Sequence, residues 1–298
     1  MIELSDLAAS DGRVVMGVAG DTLNGAIYLS RCLSGTSHSV DYLTALGTDQ
    51  LSDRMIAFME GEGVGGGHIV RRTDRLPGIY AIELDDAGER SFRYWRSQSA
   101  ARTMLDEGGL TDDTLQAFDV LVLSAITLAI LSEGARQSLI ETCAAMKVAG
   151  KLVVFDSNYR PALWQSEDEA RATISAMWAA TVLALPSRDD EARLWPGEDV
   201  PALMDRLAVL GVSEIALKDG ASGPWLWAGE SLPRADFLPA ARVVDTTSAG
   251  DSFNAGYLAA RLVGDAPVDA AMAGHRLASA VIGEKGAIIP RAAMPDVR

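Results

Sequence analysis

Between residues 118 and 264, short β-branched apolar runs alternate with stretches of helical period, and this alternation narrows the chain to a parallel sheet with crossover helices. The expected strands are FDVLVLSA (118–125), KLVVFDSN (151–158), TVLALPS (181–187), EIALKDG (214–220) and ARVVDTT (241–247). Between the first two, SEGARQSLIETCAAMKVAG (132–150) places Leu139, Ile140, Cys143 and Met146 on one helical face, and Gly150 supplies a C-terminal stop. PVDAAMAGHRLASAVIG (267–283) opens with Pro267, whose missing N–H costs nothing in a first turn, and reads as a closing helix.

The first hundred residues follow another period. IYAIELDDAGERSFRYWR (79–96) alternates apolar and polar positions around a DDAGE turn, the pattern of a hairpin with one wet face. Such a hairpin does not suit a doubly wound parallel sheet, so it is assigned to a small β-sheet lid joined by the residues near Met1. The expected organisation is a single α/β domain over residues 1–298, a three-layer αβα sandwich on a mostly parallel sheet, with lid strands at about 1–18 and 72–98. Gly61, Gly63 and Gly66 have the spacing of a dinucleotide fingerprint but follow a helical stretch, SDRMIAFME, where the motif needs a strand. They read as a helix end and a turn.

Composition removes several function classes. No stretch reaches the roughly 18–20 unbroken apolar residues of a membrane span, and the segment after Met1, IELSDLAASDGR, lacks the basic start and apolar core of a signal peptide. The expected location is cytoplasmic. A formal charge of −15 repels nucleic acid and anionic membrane, so an anionic substrate must meet a local cluster of Arg or Lys. Cys32 and Cys143 lack metal-ligand spacing and read as buried thiols, and His38, His68 and His275 form no metal pattern.

The chemistry concentrates in DTTSAGDSFNAG (245–256), where an apolar run turns through small residues into a buried helix. Ser248, Ala249 and Gly250 allow a ligand close to the backbone, and the first-turn N–H groups of a helix have no intrahelical partner, so they can receive a phosphate. Asp251 stands in the same turn, where a carboxylate can take a hydroxyl proton while the amides stabilise charge on a transferred phosphoryl group. On the residues alone, Asp251 also fits a plain acidic residue favoured by the helix dipole. No GxxxxGK[ST] loop is present, so phosphates would have to be held at 248–251.

The whole run resembles the C-terminal signature of the ribokinase-like (PfkB) carbohydrate kinases, in which this Asp is the catalytic base and the amides of Ala249, Gly250 and Asp251 form the anion hole. The resemblance extends along the chain and is nearest to the 2-keto-3-deoxygluconate kinases of that family, through GDTLNGAIYLSR (20–31), YLTALGTD (42–49), LPGIYAIELDDAGERSFRYWRSQSAA (76–101), LSAITLAILS (123–132), FDSNYRPALW (155–164) and GAIIPRAAMP (286–295). It implies ATP-dependent phosphorylation of that sugar acid on its terminal hydroxyl, giving the 6-phosphate, or the same chemistry on a neutral sugar such as fructose or ribose. A non-catalytic sugar-acid binder is the rival from another class, although such a protein has no need for a base.

By resemblance, Gly20, Asn24, Tyr80, Tyr94, Arg96, Ile126 and Arg160 line the sugar site. Guanidinium groups present paired donors to a carboxylate, and Tyr94 and Arg96 are two residues apart on one strand face. Asn158, Lys218, Gly220, Gly223, Ser248 and Gly250 correspond to nucleotide-contacting positions. Glu191 corresponds to the acidic residue of an NxxE motif that holds Mg2+ through water, with Arg188 at the Asn position. Asp245 and Thr247 correspond to a monovalent-cation (K+) loop. Relatives carry an apolar strand ending in Gly-Glu ahead of the stretch matching Met1-IELS, a strand expected in the middle of the sheet. Exposed lid edges make a homodimer the expected assembly.

Overall fold

Strands buried on both faces explain the runs read above as continuous hydrophobic segments. In the computed structural model Val153, Val154 and Phe155 are all fully buried, so neither face of their strand meets solvent. The structure describes residues 1–5, 7, 14–84, 90–233 and 235–296. The expected DDAGE turn falls at 85–89, outside the described residues. The chain divides into two compact units, Met1–Leu110 and Thr111–Arg298.

The first unit runs β1 (Ile2–Ser5), β2 (Val15–Val18), α1 (Asp21–Cys32), β3 (Thr44–Gly47), α2 (Gln50–Gly61), β4 (Ile69–Arg72), β5 (Ile79–Leu84) and β6 (Arg90–Trp95). A four-stranded sheet has the order β2-β1-β5-β6, in which only β1 and β5 are parallel. Its register aligns Gly17, Glu3, Tyr80 and Tyr94 in one row, and these share a face. β3 and β4 form a separate parallel pair. Asp49 caps α2 by accepting the amides of Leu51 (2.9 Å) and Ser52 (3.1 Å), and the chain turns out of that helix at Gly63 with φ of 80°. The Gly61–Gly66 segment is therefore a helix exit, as its context in the sequence indicated.

The second unit runs α3 (Asp112–Gln116), β7 (Val120–Ser124), α4 (Ala125–Ile130), α5 (Glu133–Val148), β8 (Leu152–Asp156), α6 (Glu167–Ala179), β9 (Leu183–Ala184), α7 (Arg188–Leu194), α8 (Val200–Val209), β10 (Glu214–Leu217), β11 (Trp225–Trp227), α9 (Ala249–Leu262) and α10 (Pro267–Val281). The sheet order is β11-β10-β9-β8-β7, parallel from β7 to β10 and closed by an antiparallel edge at β11. Phe155 of β8 packs edge-on against Trp178 of α6 at 4.6 Å between centroids. α9 and α10 approach closely because both are glycine where they touch: a Cβ on Gly256 would lie 2.9 Å from Gly274 Cα.

One expected strand does not form. Residues 241–247 pair with no strand; Val243 and Val244 are exposed, and the amides of Val244 and Asp245 instead donate to the Ile282 carbonyl just past α10. The valines gave a strand-like period, but no free sheet edge receives them. Among the described residues no helix is long and apolar enough to cross a membrane. Both cysteines are free and buried.

Candidate active site

The approach to α9 is bent backbone. Ser248 precedes the helix at φ 65°, and Asn158, at φ 21°, is the only other described non-glycine residue with positive φ. An L side chain there costs on the order of 1–3 kcal/mol and persists only where the surroundings enforce it. The intrahelical ladder begins with the Ser252 amide donating to the Ser248 carbonyl (2.9 Å), so the amides of Ala249, Gly250 and Asp251 precede it. That of Ala249 donates to the Thr246 carbonyl at 3.2 Å, which narrows the three-amide anion hole expected from the sequence. Asp251 is half-buried, and its Oδ2 accepts from Ser248 Oγ at 3.1 Å, which orients the carboxylate at the opening of the helix.

Around this turn the second unit gathers polar side chains from strand ends. Lys218 Nζ, at the end of β10, donates to Asp156 Oδ2 at 2.6 Å, and Asp156 Oδ1 accepts the Asn158 amide at 3.0 Å. Gly220 and Gly223 have φ of 51° and 76°, and a Cβ on Gly223 would strike the Phe237 ring at 2.2 Å. Arg160 is half-exposed, donates to the Tyr159 carbonyl, and stands 3.6 Å from Asp190 Oδ1. Ile126 lies partly buried in the first turn of α4, just after β7. Asp245 is buried, with one oxygen accepting the Thr247 amide (3.0 Å) and the other the Gly286 amide (2.7 Å).

Glu191 also reaches the Ser157 hydroxyl, whose chain neighbours are Asp156 and Asn158. It is fully buried and bound to Arg206 at 2.8 Å, and that guanidinium also binds Glu198 and lies 3.7 Å over the Trp195 ring. Burial pushes the Glu191 carboxyl up to about 7, against the pull of Arg206 and of the Ser157 hydroxyl. Burial opposes the charge on Arg206, but Glu198 and Glu191 together outweigh it and hold the guanidinium deeper in its charged form. The pair therefore shares its charge unequally, and burial decides the direction for Glu191. Arg188 points to Asp219 at 3.0 Å. The neighbouring carboxyl, Asp190, faces Arg160 and Asp156; burial raises its pKa, Arg160 lowers it and Asp156 raises it.

In the first unit, the Tyr80 hydroxyl donates to Glu3, and Tyr80 and Tyr94 lie 6.0 Å apart. Arg96 sits 4.1 Å over the Tyr94 ring, a cation–π contact at a half-exposed aromatic. Tyr94 lies in β6 and Arg96 just past its end, and their side chains meet as the i, i+2 spacing implies. Gly20 precedes α1, and its amide donates to Asn24 Oδ1 at 3.0 Å, so that oxygen of Asn24 organises the helix start.

Sequence reasoning missed Asp156, Asp190 and Asn254, the last bonded to both Lys218 and Asp156. Signals existed for each. Asn254 follows Asp251 by three residues, one helical turn; Ser187 caps α7 by accepting the Asp190 amide, an S-x-x-D pattern; and Asp156 ends a buried strand. Among the described residues no group of three or more His, Cys, Asp or Glu is placed to hold a metal.

With this geometry in view, the family is clear: residues 2–294 match the pfkB family carbohydrate kinase model, and the chain belongs to that family. Its fold is the ribokinase-like α/β fold, and it superposes on the PfkB protein from Polaromonas sp. JS666 with a TM-score of 0.81 at 25% identity, covering 94% of this chain and 91% of that one. It is 45% identical to the 2-dehydro-3-deoxygluconokinase of Dickeya dadantii and 44% identical to that of Escherichia coli K12, each over 99% of this chain and 96% of the relative.

Proposed function

We propose that this carbohydrate kinase phosphorylates 2-keto-3-deoxygluconate (2-dehydro-3-deoxygluconate) with ATP on its terminal hydroxyl, giving the 6-phosphate and ADP. The observation that carries the chemistry is the Asp251 carboxylate, oriented by Ser248 at the mouth of a helix N-terminus. Asp251 takes the hydroxyl proton as the sugar oxygen bonds to the γ-phosphorus and the bond to ADP breaks. The amides of Gly250 and Asp251, ahead of the α9 ladder, receive charge on the phosphoryl oxygens, and Ala249 joins them if its bond to Thr246 opens.

Recognition of the acid is assigned to Arg96 with Tyr94 and Tyr80 in the first unit and to Arg160 with Ile126 in the second, with Gly20 and Asn24 shaping the start of α1. Lys218, Asn158, Ser248, Gly220 and Gly223 are assigned to the nucleotide. Mg2+ would neutralise the polyphosphate when bound, and Glu191 and its neighbour Asp190 are the carboxyls assigned to hold its water. A potassium ion at Asp245 and Thr247 has the least support, because both Asp245 oxygens already accept backbone amides, and no step is assigned to it. Two copies pairing through the lid suits the exposed Val15, Met16, Phe92 and Trp95 on its strands, and light scattering tests that assembly.

A coupled ADP-release assay across sugar acids and neutral sugars tests the substrate. Sugar-acid turnover well above that on fructose or ribose is expected. Faster turnover on a neutral sugar overturns the assignment.

A further inference from the structure

Asn254 lies three residues after Asp251 and four after Gly250, so the three share a face of α9. Its Oδ1 accepts from Lys218 Nζ at 3.0 Å, and its Nδ2 donates to Asp156 Oδ2 at 2.6 Å, the oxygen that Lys218 also reaches at 2.6 Å. The contacts close a triangle between the ends of β8 and β10 and the second turn of α9. Lys218 Nζ lies 3.8 Å from where a Cβ on Gly250 would stand, so the ammonium rests against the first turn of the helix. The Lys218 and Asp156 side chains are each 12% exposed.

A free lysine side chain carries about 2 kcal/mol of rotamer entropy, which a phosphate ligand would have to remove. Here the ammonium is held in place by its neighbours. Asp156 binds it but opposes its charge; Asn254 binds it with a neutral oxygen and, through its amide, also engages the Asp156 oxygen. The triangle is not needed to attach α9 to the sheet. Tyr257 and Arg261 already bind Glu214 of β10 at 2.7 and 2.8 Å, and α9 is packed on α10 through Gly256 and Gly274.

We propose that Asn254 is a positioning residue that, with Asp156, holds the Lys218 ammonium against the first turn of α9, adding a fixed side-chain cation to the amides that receive the phosphoryl group. This rests on the assignment of the α9 N-terminus as the phosphate site. A fixed cation stabilises developing charge without reorganising during the reaction, and a wandering one does not.

The test is a double-mutant cycle of Asn254→Ala, Lys218→Met and the pair, with kcat and KM for ATP and for the sugar acid, and a melting temperature for each variant. Asn254→Ala alone is expected to lower kcat/KM for ATP about tenfold, with KM for the sugar acid within about twofold of the parent. In the Lys218→Met background the same substitution is expected to change kcat/KM by less than about twofold, because the cation it positions is gone. A full tenfold loss in both backgrounds overturns the proposal and makes Asn254 a structural residue. If Asn254→Ala does not fold, Asn254→Leu, which keeps the volume but neither accepts nor donates a hydrogen bond, replaces it in the same cycle and is read by the same criterion. Asp251→Asn separates the two levels: near-normal turnover there removes the phosphate-site assignment and this proposal with it, whereas an additive cycle beside an inactive Asp251→Asn overturns only the role of Asn254.

Discussion

The four-stranded sheet of the first unit and the α9 N-terminus of the second present polar groups in opposite ways. On the sheet, Tyr94 and Arg96 reach out as side chains from a wet face and meet each other by a cation–π contact. At α9 the groups are backbone amides and a carboxylate, held by a left-handed Ser248 and by helix packing too close for any side chain at Gly256. Side chains on a solvated sheet can be exchanged without moving the backbone beneath them. Amides cannot be exchanged at all, and their placement depends on packing several residues away. This contrast supports the proposed division, in which the side chains of the first unit choose the substrate and the α9 turn performs the transfer.

The contrast is broken most sharply at Asp251. Asp251→Asn keeps the size and the bond to Ser248 but removes the base, and general-base catalysis contributes about 10²–10⁴-fold, so kcat is expected to fall by at least 10²-fold with an unchanged melting temperature. Retained turnover would mean that the α9 turn binds phosphate without acting on the hydroxyl.

Glu191 gives the next largest effect, in stability. Its folded carboxyl is pushed up to about 7 from an ordinary 4.5, so between those values the folded protein keeps a proton that the unfolded chain releases. Stability from this group is therefore present below about pH 4.5 and lost as pH rises through about 7. Glu191→Gln carries no such proton. Relative to the parent it is expected to gain up to about 3 kcal/mol between pH 4.5 and 8, at about 1.36 kcal/mol per pKa unit. Parallel denaturation profiles of the two proteins across this range would show instead that Arg206 keeps Glu191 ionised throughout.

Packing under the active turn comes third. Gly256→Ala sets a methyl 2.9 Å from Gly274 Cα, and such overpacking costs about 1–3 kcal/mol. Thermal melting a few degrees lower is expected, with kcat falling as the α9 turn shifts. Tyr94→Ala, which removes a much larger group from the wet sheet, is expected to leave melting unchanged. Equal losses from both would erase the distinction between the two regions.

The sequence carried this division unevenly. The parallel sheet, the hairpin and the α9 turn were legible because burial on two faces, burial on one face and a helix start each leave a periodic or positional mark. The segment 241–247 misled because Val243 and Val244 have strand composition, and composition does not say whether a neighbouring edge is free. Asp190 went unnoticed for a related reason: a one-residue step along a helix turns a side chain by about 100°, so Asp190 and Glu191 look equivalent in sequence and face different surroundings. Asn254 went unnoticed because its role depends on Lys218 and Asp156, 36 and 98 residues away, brought together only by folding.

The smallest effect expected is also the one that tests the contrast inside the substrate itself. Arg96→Ala and Arg160→Ala should each raise KM for the sugar acid about tenfold, the scale of one charge-assisted contact, and leave a neutral sugar nearly untouched. The two should then part company with pH. Arg96 stacks on an aromatic and its removal should leave the pH profile of kcat in place. Arg160 stands 3.6 Å from Asp190 and lowers its pKa, so removing it lets that carboxyl rise further, and the acid limb of the kcat profile should move to higher pH. A shift in that direction for Arg160→Ala alone places Asp190 among the groups that must be ionised for turnover. Identical profiles for both variants would mean that Arg160, like Arg96, serves the substrate carboxylate only.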